Sequence, residues 1–335
     1  MGTKRAEKNY IVMQIEYLVA QINAHIAEQP YGDAPIELYE PIRYLMGLGG
    51  KRLRPLLTLL GANLYSTDIT HCFLPAIGVE VFHNFTLMHD DIMDKAPLRR
   101  GNATVHARWN ENIAILSGDV MLVNAYKLMM HAPDEHLRTV LEHFNQCAAE
   151  VCEGQQMDMN FENRTDVTEA EYIDMIRLKT AVLLGFAFAL GGILTNALPA
   201  EVQILKSMGE NMGIGFQLKD DLLDVFGEAN KVGKQVGGDI LSNKKTFLLI
   251  EALERANPSQ RATINEWLQA TDYIPAEKID VITQLYRDLD IDNIAEAKIQ
   301  AYFEVGYAQL DALHAPEEKK NALRTFMEWL IVREH

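Results

Sequence analysis

Two stretches of this 335-residue chain carry the same acidic spacing: Asp90-Asp91-Ile92-Met93-Asp94 and Asp220-Asp221-Leu222-Leu223-Asp224. On a helix, carboxylates at i, i+1 and i+4 fall at about 0°, 100° and 40°, within one arc. Three like charges packed this way repel one another. A helix tolerates them when they are solvated or when a hard cation sits among them. Each cluster closes an apolar, helix-patterned segment, 79–88 and 212–218, which suggests a carboxylate rim above an apolar pocket. One such cluster reads most simply as a solvated helix face; two copies, each ending an apolar stretch, point to metal chemistry. Magnesium held by carboxylates usually acts through substrate phosphates, with water completing its octahedron. Six aspartates carry about −6 and a diphosphate up to about −3. Roughly three magnesium ions per active site would therefore offset the aspartates and leave the diphosphate to nearby cations.

Those cations are present. Gly49-Gly50-Lys51-Arg52-Leu53-Arg54-Pro55 puts Lys51 and Arg54 one helical turn apart after a flexible glycine pair. Arg99-Arg100-Gly101 follows the first aspartate cluster by one short loop, and Lys179-Thr180 interrupts the apolar stretch 175–190. Lys234 and Lys244 flank Gly237-Gly238-Asp239. Singly, each reads as a surface patch, a snorkelling lysine or a solvated loop. Together they offer the forks and point charges that suit phosphate oxygens.

The elements that must position these groups read as helices. Ile77, Val81, Phe85, Met88 and Ile92 step by four, four, three and four, one helix face. The first 27 residues are similar, with Ile11, Ile15, Leu18 and Ile22 in register. Helical segments are expected at 113–131, 135–160, 169–192, 201–226 and 242–256, and the pattern continues over 258–335. Pro133-Asp134, Thr165-Asp166, Pro199 and Pro258-Ser259 look like punctuation and caps. The glycine- and lysine-rich loop 227–238 suits a lid over phosphates. The expectation is an all-α fold, a single-domain bundle over 1–335 of ten or so helices. Composition agrees: 48 % hydrophobic and 23 % charged residues support a real core. A net charge of −16 excludes nucleic acid or an anionic membrane as a partner through the overall field. Cys72, Cys147 and Cys152 are too few for a disulfide framework and read as buried free thiols. The N-terminal run is charged and lacks a signal-peptide core, and the longest apolar run, 181–190, is about half a membrane span. No transmembrane segment and a cytoplasmic setting are expected.

In order along the chain stand GGKRLRP, HNFTLMHDDIMD with RRG close behind, the Gly118-Asp119 pair, LKTA, GFQLKDDLLD, and KQVGGD with NKKT. With these motifs the chain resembles the trans-isoprenyl diphosphate synthases, or polyprenyl synthetases, from about residue 45 to 253. The resemblance implies the isoprenoid-synthase type of helical fold with a central cavity, and a homodimer. It implies that Asp90, Asp91 and Asp94 hold magnesium on an allylic diphosphate, with Asp220, Asp221 and Asp224 facing them. It assigns Arg99, Lys179, Lys234 and Lys244 to the allylic diphosphate, with Thr180 and Gln217 along the reacting carbons. Lys51, Arg54, His83 and Arg100 go to isopentenyl diphosphate, which binds without magnesium. The implied chemistry is ionisation of the allylic diphosphate, attack by the isopentenyl double bond, and loss of a proton to the departing diphosphate.

In this family, bulk below the first aspartate cluster limits the product. Phe85-Thr86-Leu87 precedes it here, with no insertion in DDIMD. That resembles enzymes making the twenty-carbon geranylgeranyl diphosphate, with the fifteen-carbon farnesyl product as the alternative. Nominal helix angles put Leu87 centrally beneath the aspartates and Phe85 nearly opposite, so Phe85 as a floor follows from the resemblance. Met121 and Leu122 are further candidates for the tunnel wall. A class I terpene cyclase would share one aspartate motif but has no use for a second diphosphate site. A non-catalytic subunit of a heteromeric synthase usually loses aspartates, and all six are present.

Overall fold

Residues 73–93 carry apolar side chains on almost every side instead of along one stripe, and a helix of that kind must be surrounded. In the computed structural model, which describes residues 2–227 and 236–332, with side chains over 11–227 and 236–328, they form one helix with buried residues on several faces. The helices among the described residues are α1 (Gly2–Glu28), α2 (Ile36–Gly47), α3 (Leu53–Tyr65), α4 (Phe73–Met93), α5 (Val105–Arg108), α6 (Glu111–Met129), α7 (Asp134–Glu162) and α8 (Glu169–Ile176). They continue as α9 (Val182–Leu194), α10 (Pro199–Phe226), α11 (Gly238–Leu241), α12 (Phe247–Arg255), α13 (Pro258–Gln269), α14 (Pro275–Asp288), α15 (Ile291–Ala312) and α16 (Glu317–Val332). The only strands described, β1 (Leu98–Arg99) and β2 (Asn102–Ala103), pair antiparallel. Their turn residues, Arg100 and Gly101, have φ of 52° and 74°, the backbone a two-residue hairpin turn of type I′ requires. The all-α expectation holds.

The chain divides into two compact units. The first comprises Met1–Asn145, Phe186–Leu205 and His314–Thr325. In it α4 packs chiefly against α6, and also against α1, α2 and α3. Ile77, Val79, Val81, Phe82 and Met88 are buried on α4, with Leu57, Leu59 and Ala62 of α3. An edge-on aromatic row, Phe82–Phe144 at 5.2 Å and Tyr126–Phe144 at 4.9 Å, fills this core.

The second unit comprises Gln146–Gly185, Lys206–Leu313 and Phe326–His335. There α12 lies against α8 and α15, and α14 against α11 and α15. Between α8 and α9 the helix widens into a π turn, Arg177–Ala181, a local expansion that frequently marks functional sites. A Cβ on Gly213 of α10 would meet Ala181 at 2.7 Å, and one on Gly154 of α7 would meet the Lys179 backbone at 2.2 Å. Both neighbours therefore press against the π turn without a side chain between.

Local details differ from the sequence reading. The cap of α8 is Thr168, in a capping box with Glu171, not Thr165-Asp166. The helix expected from residue 242 starts only at Phe247, because Asn243 takes a left-handed φ of 55° and its Oδ1 accepts from the buried Lys278 Nζ at 2.6 Å. Cys72 and Cys147 are buried, but Cys152 is exposed. Five residues apart on a helix is about 140° of rotation, so Cys147 and Cys152 take different faces. The stretch Glu169–Leu194 is long and apolar enough by composition to cross a membrane, with mean hydropathy 1.6, yet 83 % of that window is buried inside the protein.

Candidate active site

The first aspartate cluster closes α4. Aligned peptide dipoles make a helix C-terminus negative, which disfavours carboxylates there, and no basic residue lies in the last turn of α4 to offset them. The three carboxylates do not share one role. Asp91 is 2 % exposed and receives a forked contact from Arg99, Nε at 2.9 and 2.8 Å and Nη2 at 2.7 Å. Asp90 is half-buried and Asp94, the C-cap, is exposed. Arg99 reaches Asp91 from β1, so the hairpin is tied to the helix it follows.

The cations of the first unit converge on His83. Its proton affinity is held well below the usual imidazole range by removal from water, then by Arg54, Arg100, Arg99 and Arg52 around it. It is neutral at pH 7 and offers one N–H donor. Arg100 donates from Nη1 to the Gly49 carbonyl, and a Cβ on Gly50, whose φ is 140°, would sit 3.0 Å from the Arg100 guanidinium. Only glycine fits there on both counts. Of the residues assigned to isopentenyl diphosphate, Arg54, His83 and Arg100 are thus together, and Lys51 is exposed on the same glycine loop.

In the second unit the aspartates of α10 repeat the pattern, again without a basic residue in the last turn. Asp220 is exposed, Asp224 half-buried and Asp221 2 % exposed. Burial pushes the Asp221 carboxyl up to about 7, with Lys244 opposing and Asp239 reinforcing the shift. Asp221 accepts from the Tyr172 hydroxyl and from Gln217 Nε2 at 3.1 Å, while Gln217 Oε1 accepts from Thr180 at 3.4 Å. The π turn, Gln217 and the aspartate helix are thereby linked in one hydrogen-bonded row. Asp224 accepts from the Asp239 backbone N–H at 2.9 Å, which seats the Gly237-Gly238-Asp239 loop, and Lys244 lies 3.8 Å from Asp239. Lys179 pairs with Asp158 at 2.5 Å. Lys234 and most of the 227–238 loop lie outside the described residues.

No three His, Cys, Asp or Glu side chains close around one point among the described residues. The reason is visible in both clusters: the middle carboxylate turns inward, leaving a pair one turn apart. Hard oxygen donors at the negative end of a helix fit magnesium, which keeps several waters and takes the rest of its shell from substrate phosphate. Below the first cluster, Phe85 meets Phe82 at 5.6 Å and His89 at 4.8 Å, Thr86 bonds back to the His83 carbonyl at 2.8 Å, and Leu87 is half-buried. Met121 is fully buried in α6.

Some residues with evident roles escaped the sequence reading. Arg52 stands inside GGKRLRP, and nothing in its spacing separates it from Lys51 and Arg54. Asp158 and Tyr172 lie in unremarkable helix patterns, and only contacts from other helices reveal them.

The family model described as polyprenyl synthetase matches residues 35–289. A geranylgeranyl pyrophosphate synthase of Geoglobus acetivorans is 35 % identical over 94 % of this chain and 96 % of its own. A geranylfarnesyl diphosphate synthase of Natronomonas pharaonis is 34 % identical over 94 % of this chain and 95 % of its own. Among solved structures, a crystal structure of a geranylgeranyl pyrophosphate synthase superposes with a TM-score of 0.87 at 37 % identity, covering 100 % of both chains.

Proposed function

Because the chain belongs to the polyprenyl synthetase family, we propose that it condenses isopentenyl diphosphate with an allylic diphosphate, head to tail and in trans geometry, to give geranylgeranyl diphosphate. The observation that carries this reading is the gathering of Arg54 and Arg100 about His83, with Arg100 seated on the Gly49 carbonyl of the glycine loop, beside the aspartate end of α4. That is a second anion site next to a metal-type site, which a two-diphosphate reaction needs and a cyclase does not.

Lys51, Arg54, Arg100 and His83 hold isopentenyl diphosphate. Arg99, Lys179, Lys234 and Lys244 take the allylic diphosphate and stabilise charge as its carbon–oxygen bond breaks. Asp90, Asp91, Asp94, Asp220, Asp221 and Asp224 would hold about three magnesium ions, which supply charge neutralisation on the leaving group. The isopentenyl double bond attacks the allylic carbon, and a proton leaves to the departing diphosphate. Thr180 and Gln217 flank the reacting carbons, a dry pocket keeps water off the cation, and Phe85 limits the tail. A single synthase domain over 1–335 is part of this proposal. A homodimer is part of it, supported by an exposed apolar stripe on α6: Ile115 (42 %), Leu116 (57 %), Val123 (53 %) and, one residue past the helix, Met130 (61 %). Three free thiols support a reducing, cytoplasmic setting.

The test is incubation with isopentenyl diphosphate, an allylic diphosphate and magnesium, then chromatography of the dephosphorylated products. A twenty-carbon alcohol supports the proposal, and a fifteen-carbon one shifts it to farnesyl diphosphate. A hydrocarbon with free diphosphate means a cyclase. No turnover means a non-catalytic subunit.

A further inference from the structure

We propose that Arg52, the middle cation of the GGKRLRP loop, is a positioning residue: anchored from three sides, it aims Lys51 and Arg54 and meets no substrate itself. This rests on the reading above that Lys51 and Arg54 serve isopentenyl diphosphate.

Arg52 is 3 % exposed in the middle of an otherwise phosphate-facing sequence. All three guanidinium nitrogens are used, each on a different helix. Nε donates to Asn23 Oδ1 of α1 at 3.1 Å, Nη1 to Glu80 Oε1 of α4 at 2.9 Å, and Nη2 to the Met46 carbonyl of α2 at 2.7 Å. Glu80 is itself 2 % exposed and is bonded by Asn84 Nδ2 at 3.3 Å. A buried charge is tolerated only when paired and fully bonded, and such a pair adds little net stability. What it adds here is position. Residue 52 caps α3 in a left-handed conformation, φ 48°, so its orientation sets both the first turn of α3, where Arg54 stands, and the exit of Lys51. On α4, Glu80 lies one turn before His83, on the same face. The Arg52–Glu80 pair therefore registers the loop that carries Lys51 and Arg54 against the helix that carries His83. Packing does not surround the loop on every side: an open cleft of about 360 Å³, lined by Asn23, Met46, Gly49 and Arg52 among others, adjoins it. Lysine cannot replace the fork, since a single ammonium does not reach three acceptors in one plane.

The experiment measures steady-state kinetics of the full chain, varying each diphosphate at saturation of the other. Arg52→Lys keeps the charge opposite Glu80 and loses the fork. The KM for isopentenyl diphosphate is expected to rise about tenfold, the effect of displacing one charge-assisted contact, while the allylic KM stays within about twofold and kcat within about threefold. Asn23→Ala removes the Nε contact alone and should give the same split, about two- to threefold, the size of one neutral acceptor lost. It carries the test if Arg52→Lys does not fold. An unchanged isopentenyl KM, or both KM values rising together with a fall in kcat, overturns the inference. Wild-type protein that fails to join the two substrates defeats the functional reading, and this inference with it; condensation by wild type with an even effect of the variants defeats this inference alone.

Discussion

Gly118 of α6 and His89 of α4 make a sharp test of how the first aspartate cluster is held. A Cβ on Gly118 would stand 2.2 Å from His89 Nε2 and 2.6 Å from Cδ2. Ordinary carbon–nitrogen contact is about 3.4 Å or more, so Gly118→Ala must displace the imidazole by about 1 Å. The ring is not free to swing: Nε2 is in hydrogen-bond contact with the Ile115 carbonyl at 3.1 Å, and the opposite side meets Phe85 at 4.8 Å. Overpacking costs about 1–3 kcal/mol, and losing the hydrogen bond about 1 kcal/mol. Alanine in place of glycine within a helix returns about 1 kcal/mol. Gly118→Ala should therefore destabilise the protein by about 1–3 kcal/mol. In a His89→Ala background the clash is gone and only the helix preference remains, so the same substitution should stabilise by about 1 kcal/mol. Denaturant unfolding of the four proteins in this cycle reads the sign change directly. If Gly118→Ala has the same effect with and without His89, the imidazole does not occupy the glycine notch and the reasoning fails. Because His89 adjoins Asp90 and touches Phe85, Gly118→Ala should also alter the product distribution, read by the same chromatography.

Three further outcomes are expected. His83 has a proton affinity below that of the unfolded chain, so the folded state loses stability as pH falls below about 6.5, by at most about 1.4 kcal/mol per pH unit, a loss His83→Asn should not show. Parallel stability–pH curves for the two proteins would contradict the placement of His83 among the arginines. Excess chelator should abolish condensation, and added magnesium should restore it; Asp90→Ala and Asp220→Ala should each lower kcat by at least about a hundredfold, the scale of a lost electrostatic contact to a leaving group. Full activity in chelator, or in both variants, sinks the metal assignment. Phe85→Ala should shift products beyond twenty carbons, and an unchanged profile removes Phe85 as the floor.

Much of this protein was legible from residue order alone, because helices are local. Apolar spacing showed one helix face of α4 from Ile77 to Ile92, the expected segments came within a few residues of the ends of α6, α7 and α10, and the two aspartate clusters were visible from a spacing that any helix imposes. The same local rule put all three carboxylates of each cluster in one arc. Tertiary contacts divided them, since Arg99 draws Asp91 inward from a hairpin eight residues away, and Tyr172 draws Asp221 from another helix. The π turn under Lys179 and Thr180 depends on glycines of α7 and α10 that press against it. Arg52 looks like its cationic neighbours in sequence and differs only in what surrounds it. Periodicity reports which side of an element is apolar; it carries no information about which distant donor will reach a given side chain. That is decided when the helices pack, by burial and hydrogen-bond demand.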